Sequence, residues 1–98
     1  MPETHYRASR VCRIMGNPTA YEMIRILYRK EMTPSQIASE MGISLTLASA
    51  TLRILRNIDL IRYEAKGKGK IYWMNDKTIP GICAVLEKFV ARMRHKRW

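Results

Sequence analysis

Apolar residues recur every three or four positions along most of the chain, which predicts a mainly helical protein. Long stretches with this pattern lie at about 6–15, 19–30 and 79–94, and two shorter ones lie within 33–57. The segment 61–74 differs, because two short runs rich in β-branched and aromatic residues flank a glycine-containing turn. The pattern therefore predicts a mostly α fold with one small β-hairpin.

The segment 33–57 has the pattern of two short helices joined by a tight turn. Thr33, followed three residues later by Gln36, predicts a capping box at the start of the first helix. Gly42 can take the left-handed conformation that ends this helix, and Ser44 can cap the next one. This layout is typical of a helix-turn-helix motif. A plain helical hairpin within a bundle is the alternative.

The second of these helices has an apolar side and an outward side. The spacing of Ala48, Leu52 and Leu55 turns these residues inward. We predict DNA contacts from Ser44 at the helix start and from the outward residues, which are Leu45, Thr46, Ser49, Ala50 and Arg53. Arg53 is the one long hydrogen-bond donor among them. We therefore expect sparse recognition of guanine, contacts from Leu45 or Ala50 to thymine methyl groups, and a large contribution from phosphates and DNA shape.

The hairpin carries a lysine-rich turn, Lys66-Gly67-Lys68-Gly69, followed by Lys70. Two glycines within four residues allow the positive φ values that a tight hairpin needs. A basic hairpin directly after a helix-turn-helix is typical of a wing. We predict that Lys66, Lys68 and Lys70 contact the DNA backbone or the minor groove. The alternative is a solvated turn in which lysine serves solubility.

The charge of the chain indicates a polyanionic partner. Lys and Arg total 18 against 8 Asp and Glu, which gives a net charge of +10 and a pI near 10.1. Nucleic acid is the first candidate and an acidic membrane surface is the second. No run of about 18 apolar residues and no apolar signal region occur, so we expect a cytoplasmic protein.

No set of residues in the sequence favours catalysis. Ser/His/Asp or Cys/His combinations do not occur on elements expected to be neighbours, and no glycine-rich phosphate loop leads from a strand into a helix. We therefore predict that the protein is not an enzyme, and we predict no cofactor.

A chain of 98 residues is expected to form a single domain, residues 1–98, with a limited core. Dimerisation would add buried area, and the apolar stripe of the last helix resembles a coiled-coil seam. We predict dimerisation through helices 6–15 and 79–94. The predicted interface residues are Val11, Cys12, Met15, Ile82, Leu86, Phe89, Val90 and Met93.

The basic end, 92–98, is either a solvated helix terminus or a phosphate contact.

The two cysteines, Cys12 and Cys83, are too few for a disulfide scaffold. Free cysteine packs well as a small apolar side chain, which is the first interpretation. The alternative is a redox pair, if the first and last helices bring the two thiols together. A disulfide needs Cα atoms within about 7 Å of each other.

Four segments, in this order and spacing, carry a resemblance to a known family. They are MGNPT at 15–19, MTPSQIASEMGIS at 32–44, LRILRNIDLI at 52–61 and GKGKIYW at 67–73. Together they resemble the ArsR-type winged helix-turn-helix repressors over about residues 8–93. The resemblance implies a homodimer paired through the first and last helices, with a DNA-contacting recognition helix and wing.

The metal-sensing function of well-known ArsR-type members is not expected here. Thr33 and Ser35 stand where the arsenic sensors have Cys-x-Cys. Zinc and nickel sensors use histidines and carboxylates near the wing and along the last helix, but no histidine occurs between Ile61 and Arg94. We predict no metal site.

The function predicted from the sequence is sequence-specific duplex-DNA binding by a homodimeric transcription regulator, with repression implied by the resemblance. Two alternatives remain. One is a protein–protein interaction module that uses exposed Leu45 and Leu47. The other is a thiol-based redox-sensing repressor that uses Cys12 and Cys83, because some ArsR-type repressors sense oxidants or reactive sulfur through cysteine pairs.

Overall fold

The protein is described by a computed structural model covering residues 2–95, in which five helices and one antiparallel hairpin follow each other. The elements are α1 (Glu3–Met15), α2 (Pro18–Arg29), α3 (Pro34–Met41), α4 (Leu45–Asn57), β1 (Ile61–Lys66), β2 (Gly69–Met74) and α5 (Thr78–His95). No helix in this part of the chain has the length and apolar character needed to cross a membrane.

The first helix begins earlier than the sequence pattern predicts. The apolar periodicity suggests a start near Tyr6, with residues before it frayed, but α1 begins at Glu3. Glu3 lies in the first turn, where a negative charge suits the helix dipole, and its carboxylate lies 3.6 Å from the Arg7 guanidinium. Because this ion pair is exposed, it contributes little to stability. Local polar interactions therefore extend the helix beyond its apolar stripe.

The second helix is the centre of the core. The Asn17 side chain accepts a hydrogen bond from the Ala20 backbone N–H, so it caps α2 in front of a proline that suits the first turn. Met23, Ile24 and Leu27 are fully buried. Helix α2 contacts α1, α3, α4, α5 and β2, so its apolar residues fill the space between all of these elements.

The helix-turn-helix forms with the local signals that the sequence predicts. The Thr33 hydroxyl accepts from the Gln36 backbone N–H at 3.2 Å, and the Gln36 side chain accepts from the Thr33 N–H at 2.9 Å. Gly42 has a φ of 67° and ends α3. The Ser44 hydroxyl accepts from the Leu47 backbone N–H at 3.0 Å and caps α4. The capping box, the glycine stop and the serine cap are all confirmed.

The end of α4 uses a left-handed aspartate. Asp59 has a φ of 62°, a conformation that Asp tolerates better than bulky residues do. Its N–H donates to the Arg56 carbonyl, and the Leu60 N–H donates to the Leu55 carbonyl, as in a Schellman motif. The Asn75 side-chain amide donates to the Asp59 carbonyl. These bonds turn the chain from α4 directly into β1.

The hairpin turn needs only one of its two glycines in a left-handed conformation. Lys66 pairs with Gly69, so Gly67 and Lys68 form a two-residue turn. Gly67 has a φ of 63°, whereas Gly69 is not in the positive-φ region, so the prediction that both glycines supply positive φ was wrong. A glycine at the first central position is the requirement of a type II′ turn, and the second central position accepts a lysine.

The hairpin is held against the helix-turn-helix by a backbone bridge. Met32, just before α3, exchanges two hydrogen bonds with Tyr72 of β2, at 3.0 Å and 2.8 Å. Both side chains are buried in the core. The start of α3 and the middle of β2 are therefore fixed to each other through backbone geometry.

The last helix is joined to α2 by a polar cluster. The Tyr21 hydroxyl donates to Glu87 Oε2 at 2.6 Å, and Arg25 Nε lies 3.2 Å from the same oxygen. Arg25 also donates to the Pro80 carbonyl at 3.3 Å. Burial, together with the hydrogen bond to Glu87, raises the pKa of Tyr21 well above its usual range. The cluster holds one side of α5 against α2 and leaves the other side uncovered.

Replacing Gly42 with alanine should destabilise the protein by about 1 kcal/mol, because the left-handed conformation costs an L-residue about 1–2 kcal/mol. The matched control is Gly81→Ala in α5, where an added Cβ meets open space and φ is not positive. That control should be neutral or stabilising by up to about 1 kcal/mol. Urea unfolding midpoints at one protein concentration measure both. Equal midpoints for the two variants would contradict the assigned role of Gly42.

Candidate nucleic-acid interface

The outward side of α4 presents the five residues that the sequence predicts. We call Leu45, Thr46, Ser49, Ala50 and Arg53 the recognition face, and all five are exposed. Leu45, with 52% of its surface accessible, is the most exposed leucine among the large apolar residues of α4. The opposite side of the helix is buried in the core, so α4 presents a defined face to solvent.

Two other α4 residues lie apart from this face. Thr51 is only 5% exposed, and its hydroxyl donates to the Leu47 carbonyl at 2.9 Å, so it does not belong to the surface of the helix. Leu47 is exposed, but it follows Leu45 by two residues and therefore points about 200° away around the helix axis. Ser44 is exposed at the helix start, with its oxygen engaged in the cap.

A cleft of about 590 Å³ separates the recognition helix from the hairpin. Leu45 and Ser49 line one wall, and Lys66, Lys68 and Lys70 line the other. The residues that begin α3 lie at its floor. The structure thus brings Leu45 and Ser49 together with the three hairpin lysines at one concave surface, whereas Thr46, Ala50 and Arg53 lie on α4 outside the residues that line the cleft.

An aromatic side chain connects the two walls of this cleft. The Tyr63 ring on β1 lies with its centroid 5.0 Å from the Arg56 guanidinium carbon of α4 and 4.6 Å from Lys70 Nζ of β2. Its ring also packs on Tyr72 at a centroid distance of 5.2 Å. Each cation–π contact is worth about 0.5–1 kcal/mol at an exposed site. Tyr63 therefore orients the base of the hairpin relative to α4.

Sequence reasoning missed Tyr63 and Arg56 as part of this site. Arg56 follows Ser49 by seven residues, so it lies on the same side of the helix, and this spacing was an available signal. For Tyr63 no comparable signal exists, because the contact depends on how β1 packs against α4. Both residues act by positioning the hairpin and its lysine.

A second surface is an apolar groove of about 530 Å³ between α1, α2 and α5. Its walls include Val11 and Cys12 from α1 and Ile82 and Leu86 from α5. The exposed apolar residues of α5 extend this surface along the helix, each with about 43–45% of its area accessible: Ile82, Leu86, Phe89 and Val90. We call this surface the α1/α5 face.

The residues predicted for a dimer interface are not equally available on the α1/α5 face. Met15 is only 8% exposed and belongs to the core of its own chain, because it packs where α1 turns into α2. It also lines the apolar groove, and its contribution to a dimer interface stays a prediction. Val11 and Met93 are half-buried. Of the basic end at 92–98, residues 96–98 lie outside the described residues.

The two cysteines occupy different environments. Cys12 is exposed on the wall of the apolar groove, whereas Cys83 is fully buried in the core. This burial favours the interpretation of Cys83 as a small apolar core residue, and the redox pair stays a prediction. Within residues 2–95, no three His, Cys, Asp or Glu side chains lie close enough together to hold a metal ion.

A helix-turn-helix whose second helix shares a cleft with the following hairpin defines a winged helix-turn-helix protein. The family model described as a helix-turn-helix domain matches residues 15–64, which is half of the chain. The chain belongs to this family, whose members are DNA-binding transcription regulators. Comparison with curated proteins found no significant match.

Three solved structures with the same fold are distant from this chain in sequence. Rv0081 from Mycobacterium tuberculosis superposes with a TM-score of 0.86 at 18% identity, covering 99% of this chain and 98% of that one. HlyU from Vibrio cholerae gives 0.79 at 17% identity, covering 91% and 97%. Mb0332 from Mycobacterium bovis gives 0.80 at 22% identity, covering 97% and 87%.

The description of Mb0332 is a homodimeric winged helix-turn-helix DNA-binding domain and a possible ArsR-family transcriptional regulator. The resemblance to ArsR-type proteins that the sequence suggests is thereby confirmed, together with the fold that it implies.

The hairpin and the recognition face should affect DNA binding differently. Lys68→Ala should weaken binding about equally on all duplex sequences and reduce the salt slope by about one, because a lysine at the turn meets phosphate. Arg53→Ala should instead change the preference between sequences, by about 1–3 kcal/mol at the base pair it contacts. Competition between duplexes of different sequence measures both effects. The two assignments would be reversed if Lys68→Ala altered preference and Arg53→Ala did not.

Proposed function

We propose that the protein is a homodimeric repressor that binds specific duplex DNA sequences, with α4 in the major groove and the hairpin lysines on the backbone or in the minor groove. The observation that carries this proposal is the shared cleft, in which Leu45 and Ser49 of the recognition face meet the three hairpin lysines. A base-contacting helix and a basic element then act on the same stretch of duplex.

The electrostatics support a nucleic-acid partner. Lys66 and Lys68 are exposed at the two-residue turn, so their ammonium groups can reach phosphates, whereas the Lys70 ammonium lies over the Tyr63 ring. The net charge of +10 adds a long-range attraction toward polyanions and speeds association. Backbone contacts of this kind supply affinity and orientation, and the recognition face supplies the sequence preference.

The α1/α5 face supports a homodimer. Apolar residues exposed in a continuous stripe along a helix are a common feature of protein–protein interfaces. The described homodimeric state of Mb0332, which has the same fold, supports pairing of this chain as well. A two-fold dimer would present two copies of α4 to half-sites about 34 Å apart, one turn of B-DNA. Repression is inferred from the resemblance to ArsR-type repressors.

The interaction-module alternative is less well supported. It requires Leu45 and Leu47 to form one apolar patch, but positions two residues apart in a helix do not face the same way. Leu45 lies beside the basic cleft, and Leu47 lies on the other flank of α4. The two leucines therefore belong to different surfaces.

The proposed DNA binding should depend steeply on salt. Each neutralised phosphate contributes close to one unit to the slope of log affinity against log salt concentration. Fluorescence anisotropy with a random-sequence duplex, at about 50 mM and 200 mM salt, measures this slope. We expect binding at low salt with a slope of several units. No duplex binding at low salt, or affinity that does not change with salt, would rule out the proposed function.

Dimerisation should depend on Leu86. Leu86→Asp would place a charge within the α1/α5 face, and burying that charge against a partner subunit costs several kcal/mol. We expect monomer in sedimentation velocity. The matched control is Lys88→Asp, which changes the net charge more but lies on the exposed side of α5 away from the stripe.

The Lys88→Asp protein should stay dimeric. Circular dichroism of both variants checks that the chain is folded, since Leu86 is already largely exposed in the single chain. A folded, fully dimeric Leu86→Asp protein would place the interface elsewhere.

A further inference from the structure

The recognition face has an unusual chemical composition for a surface that contacts base pairs. Thr46 and Ser49 carry short hydroxyls, and Leu45 and Ala50 carry only apolar atoms. Arg53 is the one member with a long, forked donor. The nearby Thr51 hydroxyl already donates to the Leu47 carbonyl, and Arg56, whose guanidinium lies over the Tyr63 ring, is in the last turn of α4, away from the N-terminal end of the helix.

An apolar side chain has one complementary group in the major groove. Thymine presents a C5-methyl group there, whereas the other bases present only polar edges or a bare C5–H. Leu45 is half exposed at the first turn of α4, the end of the helix that enters the groove in helix-turn-helix proteins. Covering Leu45 with a polar base edge would desolvate that edge without replacing its hydrogen bonds, which is unfavourable.

We propose that this chain selects its half-site mainly through thymine methyl groups, which contact Leu45 with support from Ala50 and the Thr46 methyl. One guanine per half-site is recognised by Arg53, whose guanidinium matches the O6 and N7 acceptors. This inference rests on the proposed DNA-binding function and specifies the base pairs that the same site takes. Thymines lie under the first turn of α4, and a single G·C pair lies under its middle.

The experiment starts from duplexes selected by the protein out of a random pool. In the selected half-site, each thymine is replaced singly by deoxyuridine, which removes the methyl group and leaves every hydrogen-bonding edge unchanged. Burying one methyl group is worth about 0.8 kcal/mol, so each contacted thymine should lose about fourfold in affinity. Replacing the guanine by 7-deazaguanine removes its N7 acceptor and should weaken the wild-type protein but not Arg53→Ala.

The protein variants assign the effect to a side chain. Leu45→Ala should bind thymine and uracil duplexes with nearly equal affinity, because the methyl group has lost its contact. Leu47→Ala is the matched control, since it removes the same atoms from the other flank of α4. This control should keep the fourfold difference. Both side chains are largely exposed, so both variants are expected to fold.

The outcomes separate this inference from the proposed function. An enriched sequence whose affinity for the wild-type protein is unchanged by every uracil substitution would overturn the thymine-methyl inference and leave sequence-specific DNA binding intact. Salt-dependent duplex binding with no enriched sequence would reject both the inference and the sequence specificity of the proposed function. Loss of the uracil effect in Leu47→Ala but not in Leu45→Ala would also overturn it. Absence of duplex binding at any salt concentration would instead reject the proposed function itself.

Discussion

Burial of the apolar residues of α2 is the interaction on which the rest of the structure depends. Met23, Ile24 and Leu27 are fully buried, and α2 contacts the other helices and β2. In a chain of this size a single core must hold every element, because no second layer exists to support them. The orientation of α4, the hairpin and α5 is therefore set by how each packs on one helix. Removing any of these side chains would cost about 2–5 kcal/mol and would affect all surfaces together.

The geometry of the cleft follows from two contacts that do not involve α2. The backbone bridge between Met32 and Tyr72 fixes β2 to the segment that begins α3. The Tyr63 ring, between Arg56 and Lys70, fixes the base of the hairpin to α4. The turn beyond this point is supported only by the hairpin itself. A hairpin with an anchored base and an exposed lysine tip keeps its register while its tip can adjust to a phosphate backbone.

How much the sequence could predict depends on whether a feature is local. The Thr33–Gln36 capping box, the glycine stop at Gly42 and the inward spacing of α4 each need only neighbours within a few residues, and all were predictable. The role of Met15 was not, because its helical spacing fits both the core and an interface and only packing distinguishes them.

Other features were not predictable for the same reason. The position of Tyr63 depends on the packing of β1 against α4. The left-handed Asp59 depends on a bond to Asn75, sixteen residues away along the chain. At the turn, the composition allows a positive φ at both glycines. Because Lys66 pairs with Gly69, only Gly67 lies at a central position of the turn, and it is the one of the two with a positive φ.

The α1/α5 face and the cleft beside α4 both expose apolar residues, and they differ in what surrounds these residues. The stripe on α5 is continuous with an apolar groove, and the Tyr21–Arg25–Glu87 cluster holds α5 against α2 from its other side. Leu45, in contrast, shares its cleft with the short hydroxyl of Ser49 and the hairpin lysines. A continuous apolar surface suits a second protein, whereas an isolated apolar group among cations suits a methyl group on a polyanion. Because α2 contacts both α4 and α5, pairing through α5 would also fix the distance between the two recognition helices. The spacing of the DNA half-sites would then depend on how α4 and α5 pack on α2.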